Sequence, residues 1–558
     1  MDVNDGGQPT IAGDTSLHQG VWREHVIPFA LLALVLAVSI VVRIRLLDAP
    51  LERDEGEHGY LAQMLLAGQA PWQTDYNLKL PGTDFLYAGV MAMLGQTPVA
   101  IRIGLLVANL ISVLLVGLLG RRLFGITGGA VSAAAFALLS CSQSVLGTIA
   151  HSTHFVVLFA LAGLLVLLRA RDRIAWLFCS GLAFGLAFLM KQPGIAFAGF
   201  GGVYVLWRWR ADGVSAGRGI QRLAAFGLGV ALPYAFLCLA LWRAGTFPRF
   251  WFWTVTLARA YAAKVSLSDA VQLFSMGIAS AVDVSVFLWA LAALGIVVAC
   301  RNLETRRAAL FVLALNVFSF AAVSAGGVFR SHYFVLMLPA VALACGAWVS
   351  AGAGVGQMLR RSAPGAGAVA LFCFAGASLY AVAMQREYLF RMNTYEFARS
   401  SWGLNPFPEA LQVADYLRVH TEPGAKIAVL GSEAEIYFYA HRRAATGYLF
   451  TYGLMENHEY ALPGQLEMIS EIEEARPEYL VFSRVSTSWL ATVSSPKDIF
   501  QWIETYTKRD YEVAGVIDIL PGEPALYVWG EFAPNYHPKS GAYLVIYRRR
   551  SAAADGKI

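Results

Sequence analysis

Long apolar runs, separated by short polar loops, follow one another from about residue 25 to residue 386. A helix that spans a bilayer needs about 17 to 25 mostly apolar residues. Runs of this kind lie near residues 25–47, 99–120, 127–147, 151–169, 174–190, 193–208, 221–243, 281–300, 307–325, 332–352 and 366–385. The pattern predicts a polytopic all-α bundle with about eleven transmembrane helices. The further run at residues 85–94 is shorter, and we expect it to lie in the membrane interface.

The hydrophobic pattern changes at about residue 387, where helical periodicity begins to alternate with short strand-like runs. Helical patterns cover residues 408–420, 465–475 and 499–508, and strand-like runs cover residues 426–430, 479–482, 525–529 and 543–547. Alternating helices and strands are typical of a layered α/β fold. The sequence therefore predicts a transmembrane domain at residues 25–386 and a soluble α/β domain at residues 387–558. The polar residues 1–24 are predicted to form a disordered cytoplasmic tail.

The composition agrees with a membrane protein and excludes several other classes. Hydrophobic residues make up 57% of the 558 residues and charged residues only 15%, with a mean hydropathy of +0.53. Soluble domains carry about a quarter charged residues. The net charge of +5 comes with arginines beside apolar runs, so no nucleic-acid partner is indicated. The six cysteines lie in apolar runs without zinc spacing, and no Walker or dinucleotide fingerprint supports ATP or NAD binding.

Arginine clusters set the expected orientation in the membrane. They recur at every second loop, at residues 121–122, 169–173, 208–218, 301–307 and 360–361. If residues 85–94 do not span, all five clusters fall on one side, which the positive-inside rule assigns to the cytoplasm. Residues 51–96 then form one long external loop, and the C-terminal domain is external as well.

The external loop begins with an unusual density of acidic residues, in the segment LERDEGEHGY. A carboxylate of Asp54 or Glu55 at the mouth of the bundle could take a proton from a hydroxyl. It could also hold a divalent cation together with Glu57 or His58. Adjacent residues on a helix point about 100° apart, so Asp54 and Glu55 cannot share one face. The alternative is that the pair only caps the following helix.

A lysine at position 79, in the segment NLKLPG, stands in an otherwise uncharged stretch. A lysine at headgroup level can bind a phosphate as a point charge, or it can simply reach the lipid headgroups. Further cations lie on other external loops, at Lys191, Arg259, Lys264, Arg330 and His332. If these loops converge, they form an anion-binding mouth; each alone could instead be a surface anchor.

His151 and His154 are spaced i, i+3 at the start of a predicted span. This spacing predicts that they share a helix face. They could bind a metal together or with Asp54, or they could be ordinary polar residues at a helix end. No cofactor is certain from the sequence, and a divalent metal is the one that these residues would suit.

The stretch RDEGEHGYLAQMLLAGQAPWQTDYNLKLPG resembles the first external loop of the C-type glycosyltransferases of family 39, which include protein O-mannosyltransferases and aminoarabinose transferases. The similarity continues through AIRIGLLVANLISVLLVGLLGRRLFG and SHYFVLMLPAVALACG. The chain departs from the family pattern in two places. Lys79 is followed by Leu80-Pro81-Gly82 rather than by two prolines, and His151 and His154 stand where relatives often carry an acidic residue.

The resemblance implies an inverting glycosyltransferase of the bacterial inner membrane that acts at its periplasmic face. The donor would be a polyprenyl-phosphate-linked sugar, and the acceptor a glycan, a lipid or a protein. Asp54 would be the catalytic base and Glu55 its supporting residue or a metal ligand. The donor phosphate would be bound by Lys79 with the help of Lys191, Arg259, Lys264, Arg330, His332 and Tyr333. A metal, if present, would be held by residues among Glu55, Glu57, His58, His151 and His154.

Two other classes of function remain open on the sequence. A transporter or flippase of a lipid-linked saccharide usually carries charges at mid-membrane, whereas the charges here lie at one face. A membrane-anchored glycan-binding protein would act through its C-terminal domain. Its candidate residues are Glu433, Glu435, His441, Arg442 and Arg443, although a solvated polar face is the preferred explanation for them.

Overall fold

The computed structural model describes residues 15–171, 173–259, 265–358 and 366–550. Helices form most of the described chain before residue 386. They are α1 (Thr15–Arg45), α2 (Arg53–Leu66), α3 (Gly82–Leu94), α4 (Pro98–Leu139), α5 (Ser152–Ala170), α6 (Ile174–Met190), α7 (Ile195–Ala211), α8 (Ala216–Arg243), α9 (Phe247–Trp251), α10 (Leu267–Asp283), α11 (Val286–Arg301), α12 (Arg306–Val323), α13 (Leu338–Met358) and α14 (Ala366–Met384).

Six described helices are long and apolar enough to cross a membrane: Val26–Arg45 within α1, α4, α5, α8, α12 and Gly367–Met384 within α14. The pair α10 and α11, bent by 101°, adds a seventh if it is one span. The predicted count of eleven is therefore not confirmed. Shorter apolar helices lie at Gly82–Leu94, Ile174–Met190 and Leu338–Gly352. Helix α1 begins at Thr15, earlier than expected, and residues 1–14 of the predicted tail lie outside the described residues.

Helix α4 explains part of the difference in count, because it joins two of the predicted spans. Gly125 has φ 79° and ψ −177°, a conformation that interrupts the helix and that glycine adopts readily. The two arms then pack against each other, since a Cβ added to Gly120 would lie 3.0 Å from the Cα of Gly129. The chain thus doubles back at Gly125, so that the run at residues 99–120 and the part of the run at residues 127–147 that ends at Leu139 are the two arms of α4.

Helix α2 begins beside the membrane with a reciprocal cap. The Glu52 side chain accepts a hydrogen bond from the Glu55 backbone N–H (3.0 Å), and the Glu55 side chain accepts one from the Glu52 backbone N–H (3.3 Å). Such a capping box satisfies two free donors at a helix start. It fixes the first turn of α2 and therefore the direction in which Asp54 leaves the helix.

The C-terminal region is the predicted α/β domain. Its helices are α15 (Arg386–Phe390), α16 (Thr394–Trp402), α17 (Phe407–His420), α18 (Glu435–Ala440), α19 (Tyr452–Met455), α20 (Ala461–Ala475), α21 (Ser486–Trp489) and α22 (Asp498–Asp510). Its strands are β1 (Lys426–Leu430), β2 (Arg443–Ala444), β3 (Tyr479–Ser483), β4 (Tyr511–Asp518), β5 (Leu526–Trp529) and β6 (Tyr543–Arg549). The six-stranded sheet has the order β2-β1-β3-β6-β4-β5, in which β1 is parallel to β2 and β3 and the other pairs are antiparallel.

This domain packs directly on α2 through α18. A Cβ added to Gly56 would lie 2.5 Å from the Cβ of Glu435, so the two helices touch at backbone distance. The Tyr439 hydroxyl accepts a hydrogen bond from the Leu51 N–H (2.7 Å). Glu433 and Glu435 are fully buried. The expectation that they belong to a solvated face is therefore wrong, because α2 covers them.

Candidate active site

An ion pair between Asp54 and Lys79 lies at the centre of the candidate site. The Lys79 Nζ donates hydrogen bonds to Asp54 Oδ1 (2.7 Å) and to Glu57 Oε2 (2.5 Å). Asp54 and Glu57 are three residues apart on α2 and share a helix face. Lys79 arrives from the loop before α3, where its backbone N–H donates to Asn77 Oδ1 (2.8 Å). Two sequence-predicted residues far apart in the chain are thus in direct contact.

The charges of this pair stabilise each other. Burial alone raises the pKa of the Asp54 carboxyl, but the Lys79 ammonium and the neighbouring His151 outweigh it and hold the pKa well below its usual range. Burial lowers the pKa of Lys79, but Asp54 and Glu57 outweigh it and raise the pKa above its usual value. Both groups are therefore charged at neutral pH.

Two histidines from separate loops complete the wall beside Asp54. The His151 Nδ1 lies 3.6 Å from Asp54 Oδ2 and 3.6 Å from Glu52 Oε1. The rings of His151 and His332 stack with centroids 4.0 Å apart and an interplanar angle of 15°. Burial lowers the pKa of His332 well below its usual value, and His151 and Lys191 lower it further. His332 is therefore neutral.

Lys191 is a second cation at the same mouth. Its Nζ lies 4.3 Å from the ring centre of Tyr333, and no carboxylate pairs with it among the described residues. Burial lowers the pKa of Lys191 to about 8; Asp54 opposes the shift, whereas Lys79 and Arg330 add to it. Arg330 is exposed next to this group. A lysine held beside other cations without a counter-ion is suited to an anionic ligand.

Several predicted site residues have structural partners instead. Glu55 is fully buried, and its carboxylate accepts hydrogen bonds from Arg102 Nη2 (2.7 Å) and from the Ala150 N–H (2.7 Å). Its oxygens point away from Asp54, which agrees with the divergence of adjacent helix positions. The structure therefore does not place the Glu55 carboxylate beside that of Asp54. The Glu55 carboxylate instead connects α2 to α4 and to the loop before α5.

The predicted metal-ligand set is not assembled. His58 contacts Asp84 Oδ1 through Nδ1 (2.5 Å) and Ser152 Oγ through Nε2 (3.0 Å). His151 is the N-cap of α5 with ψ 147°, outside the helix, so it does not share a helix face with His154 as the spacing predicted. Glu57 is bound to Lys79. Of the five predicted ligands, His151 is the one that lies against Asp54.

A different trio could hold a cation. Ligand atoms of Asp54, His151 and His332 all lie within 4.8 Å of one another. Neither ring nitrogen of His151 has a hydrogen-bond partner among the described side chains and backbone. One carboxylate and two imidazoles are a donor set that suits zinc and other divalent transition metals. From the sequence, His332 was a candidate for phosphate binding. It is far from His151 along the chain, so no sequence pattern indicated that the two residues pair.

The C-terminal domain contributes residues that the sequence analysis did not select. The Lys79 Nζ lies 4.6 Å from the ring centre of Phe450, which covers the ion pair. Arg53, the residue before Asp54, bonds to the same domain through Ser432 and Glu433. Arg259 is exposed, with no described contact to the pair, and Lys264 lies outside the described residues.

Comparisons with known proteins agree with this architecture. Residues 79–237 match the model of the family described as dolichyl-phosphate-mannose-protein mannosyltransferase. A search of the curated proteins by sequence gave no match.

Three solved structures are similar in fold. ArnT from Cupriavidus metallidurans bound to undecaprenyl phosphate has a TM-score of 0.59 at 15% identity, over 94% of this chain and 99% of that chain. Its apo structure has a TM-score of 0.58 at 15% identity, with the same coverage. The Archaeoglobus fulgidus oligosaccharyltransferase tethered to an acceptor peptide has a TM-score of 0.50 at 14% identity, over 92% of this chain and 75% of that chain. The chain is therefore a multi-pass membrane protein with the fold of ArnT, and the resemblance to family 39 is confirmed by the family match of residues 79–237.

Proposed function

We propose that this protein is an inverting glycosyltransferase that moves a sugar from a polyprenyl-phosphate donor to a hydroxyl acceptor of the cell envelope. The reaction takes place at the external face of the membrane, which is the periplasmic face in a bacterial inner membrane. The Asp54–Lys79 ion pair carries the proposal, because a carboxylate suited to act as a base lies 2.7 Å from an ammonium suited to bind a phosphate. Similarity to a structure with bound undecaprenyl phosphate supports the choice of donor class.

In the proposed reaction the acceptor oxygen attacks the anomeric carbon from the face opposite the phosphate. The new C–O bond forms while the bond between the anomeric carbon and the phosphate oxygen breaks. The hydroxyl proton passes to the Asp54 carboxylate, and polyprenyl phosphate leaves with the bonding electron pair. Asp54 is suited to this role because it is ionised, partly exposed and fixed by the capped start of α2.

Lys79 and Lys191 are proposed to stabilise the negative charge that develops on the leaving phosphate. Preplaced cations of this kind lower the barrier because they need no reorganisation during the reaction. When the phosphate takes the Lys79 ammonium, Asp54 loses part of the charge that keeps its pKa low. Binding of the donor would thereby make Asp54 a stronger base at the moment when the acceptor arrives. Arg330, His332 and Tyr333 border the same anion site.

A divalent metal is compatible with this site and would be held by Asp54, His151 and His332. Once bound, it would supply positive charge for the donor phosphate. Lys79 contacts Asp54 Oδ1, whereas His151 faces Asp54 Oδ2. The metal and Lys79 would therefore use different oxygens of Asp54, and the side chains would keep the roles proposed above. Metal analysis of the purified protein and of His151→Ala would test this assignment.

Deletion of the gene tests the proposed function as a whole. Envelope glycans of the deletion strain should lack the mass of one sugar that is present in the wild type, and mass spectrometry would identify both the sugar and the molecule that carries it. Identical glycan profiles under conditions in which the protein is expressed would contradict a transferase role.

The pKa of Lys191 gives a prediction for the alkaline pH range. Because this pKa is about 8, the ammonium loses its proton above that pH, and donor binding should weaken. We expect kcat/KM for the donor to fall above about pH 8, because kcat/KM reports the free enzyme. The variant Lys191→Met should have a lower kcat/KM for the donor at every pH, and this value should not fall further above about pH 8. A limb that persists unchanged in the variant would assign the titration to another group.

A further inference from the structure

We propose that the C-terminal domain holds the catalytic base in place, and that Arg53 is the positioning residue through which it acts. This inference rests on the proposed function of Asp54. Arg53 is the first residue of α2 and immediately precedes Asp54. Its side chain leaves the membrane domain and ends inside the C-terminal domain.

The guanidinium of Arg53 has a dense set of partners, all in the C-terminal domain. It donates to the Ser432 carbonyl (2.8 Å), Asn405 Oδ1 (3.1 Å), Glu433 Oε1 (3.2 Å) and the Tyr452 hydroxyl. The rings of Phe407 and Tyr452 lie on it, each 5.3 Å from the central carbon. A planar guanidinium in such a cage has little freedom.

Glu433 is itself fixed inside the domain. Its side chain is fully buried, and Oε2 accepts hydrogen bonds from Ser488 Oγ (2.7 Å) and the Ser432 N–H (3.0 Å). Removing one partner of a buried ion pair leaves an uncompensated charge, which is strongly destabilising. The Arg53–Glu433 pair therefore ties the first turn of α2 to the sheet domain.

Further contacts extend this attachment along α2. Gly56 leaves no room for a side chain against Glu435. The Tyr60 hydroxyl accepts a hydrogen bond from the Ala444 N–H (2.9 Å), and Gln63 Nε2 donates to the Phe438 carbonyl (3.1 Å). The loop that carries Lys79, by contrast, is also held away from α2, because the Lys79 N–H donates to Asn77 Oδ1 (2.8 Å) and Gln192 Nε2 donates to the Leu78 carbonyl (2.7 Å). Loss of Arg53 should therefore affect the base more than the phosphate site.

The test compares Arg53→Gln with Asp518→Asn in the full-length protein. Asp518 is also fully buried in the C-terminal domain, where it accepts hydrogen bonds from Tyr536, Lys539 and Ser540, away from α2. Hydrogen exchange of residues 53–66 should be faster in Arg53→Gln by roughly tenfold or more, since a charged hydrogen-bond network is lost. The variant Asp518→Asn should leave exchange in this helix unchanged.

Activity gives the second readout. Arg53→Gln should lower the rate of transfer at saturating donor at least about tenfold, while the affinity for undecaprenyl phosphate, used as the probe, stays within about twofold. Arg53→Lys, which keeps the charge opposite Glu433, should recover part of the rate. The double variant Arg53→Gln/Glu433→Gln should have nearly the same rate of transfer as Arg53→Gln alone, because the two residues act as one pair.

A pair of glycine variants tests the same attachment without removing a charge. Gly56→Ala should speed hydrogen exchange of α2, because the added Cβ would lie 2.5 Å from Glu435 Cβ and push the helix away from α18. The Cβ of Gly89→Ala meets no atom within 4 Å, so this variant should behave as the wild type. Unchanged exchange of α2 in both Arg53→Gln and Gly56→Ala would overturn the proposal, whatever the activity. If the wild-type protein has no transfer activity, the proposed function of Asp54 is contradicted. The hydrogen-exchange result alone then tests whether Arg53 attaches α2 to the C-terminal domain.

Discussion

The variant Asp54→Asn should be inactive in transfer but still bind the lipid carrier. Asparagine has nearly the same size as aspartate, but it cannot accept the proton of the attacking hydroxyl. General-base assistance is worth roughly 10²- to 10⁴-fold in rate, so turnover should fall by at least the lower figure. Lys79 keeps its second partner, Glu57, at 2.5 Å and therefore stays in position. Binding of undecaprenyl phosphate, measured by native mass spectrometry, should persist.

A matched control separates this chemical effect from the general loss of one acidic charge. Asp269 is exposed in the first turn of α10, where its backbone N–H is capped by Ser266. Asp269→Asn should retain wild-type transfer and carrier binding. If Asp54→Asn transfers sugar at the wild-type rate, Asp54 is not the base.

The variant Lys79→Met should remain folded but bind the lipid carrier much more weakly than the wild type. A hydrogen bond to a charged group contributes about 1.5–3 kcal/mol, which corresponds to a loss of roughly ten- to more than hundredfold in affinity for undecaprenyl phosphate. Methionine keeps a long, unbranched side chain without the charge, so it can still pack towards Phe450. Lys497→Met, at an exposed position before α22, is the control and should bind as the wild type.

Loss of Lys79 should also change the acid side of the pH profile. In the wild type the Lys79 charge is the largest influence that lowers the pKa of Asp54. Without it, burial and the neighbouring Glu57 raise that pKa, and the base becomes protonated at a higher pH. Transfer by Lys79→Met should therefore decline as the pH falls through the raised pKa, whereas the wild type keeps its activity there. Parallel acid limbs in the two proteins would contradict the Asp54–Lys79 coupling.

Local pattern was sufficient to predict the α/β fold of the C-terminal region and to select the two residues that form the ion pair. Strand β1 was predicted with the bounds that it has, and β3, β5 and β6 nearly so, because short β-branched and aromatic runs lie between clear turn residues. Strand β4 was missed, since it follows α22 without an intervening turn signal. The residues Asp54 and Lys79 were selected because charges are rare in an apolar chain. Their roles stay predictions until the variants are measured.

Long-range contacts explain what the sequence analysis missed. Glu55 follows Asp54 directly and looked equally suited to catalysis, yet its carboxylate is used by Arg102 from α4. His332 reaches His151 from a distant loop, and no periodicity connects the two. Glu433 looked like part of a solvated face because Ser432 and Glu435 close to it in sequence are polar. Such pairings depend on how elements far apart in the chain pack against one another and not on local spacing.

The most direct test of the account is the glycan profile of a deletion strain that carries the wild-type gene, Asp54→Asn or Asp269→Asn at equal protein levels. Mass spectrometry of the envelope glycans should show the missing sugar restored by the wild type and by Asp269→Asn. With Asp54→Asn the sugar should stay absent while the protein still binds undecaprenyl phosphate. Restoration of the sugar by Asp54→Asn would contradict the central claim that this carboxylate activates the acceptor.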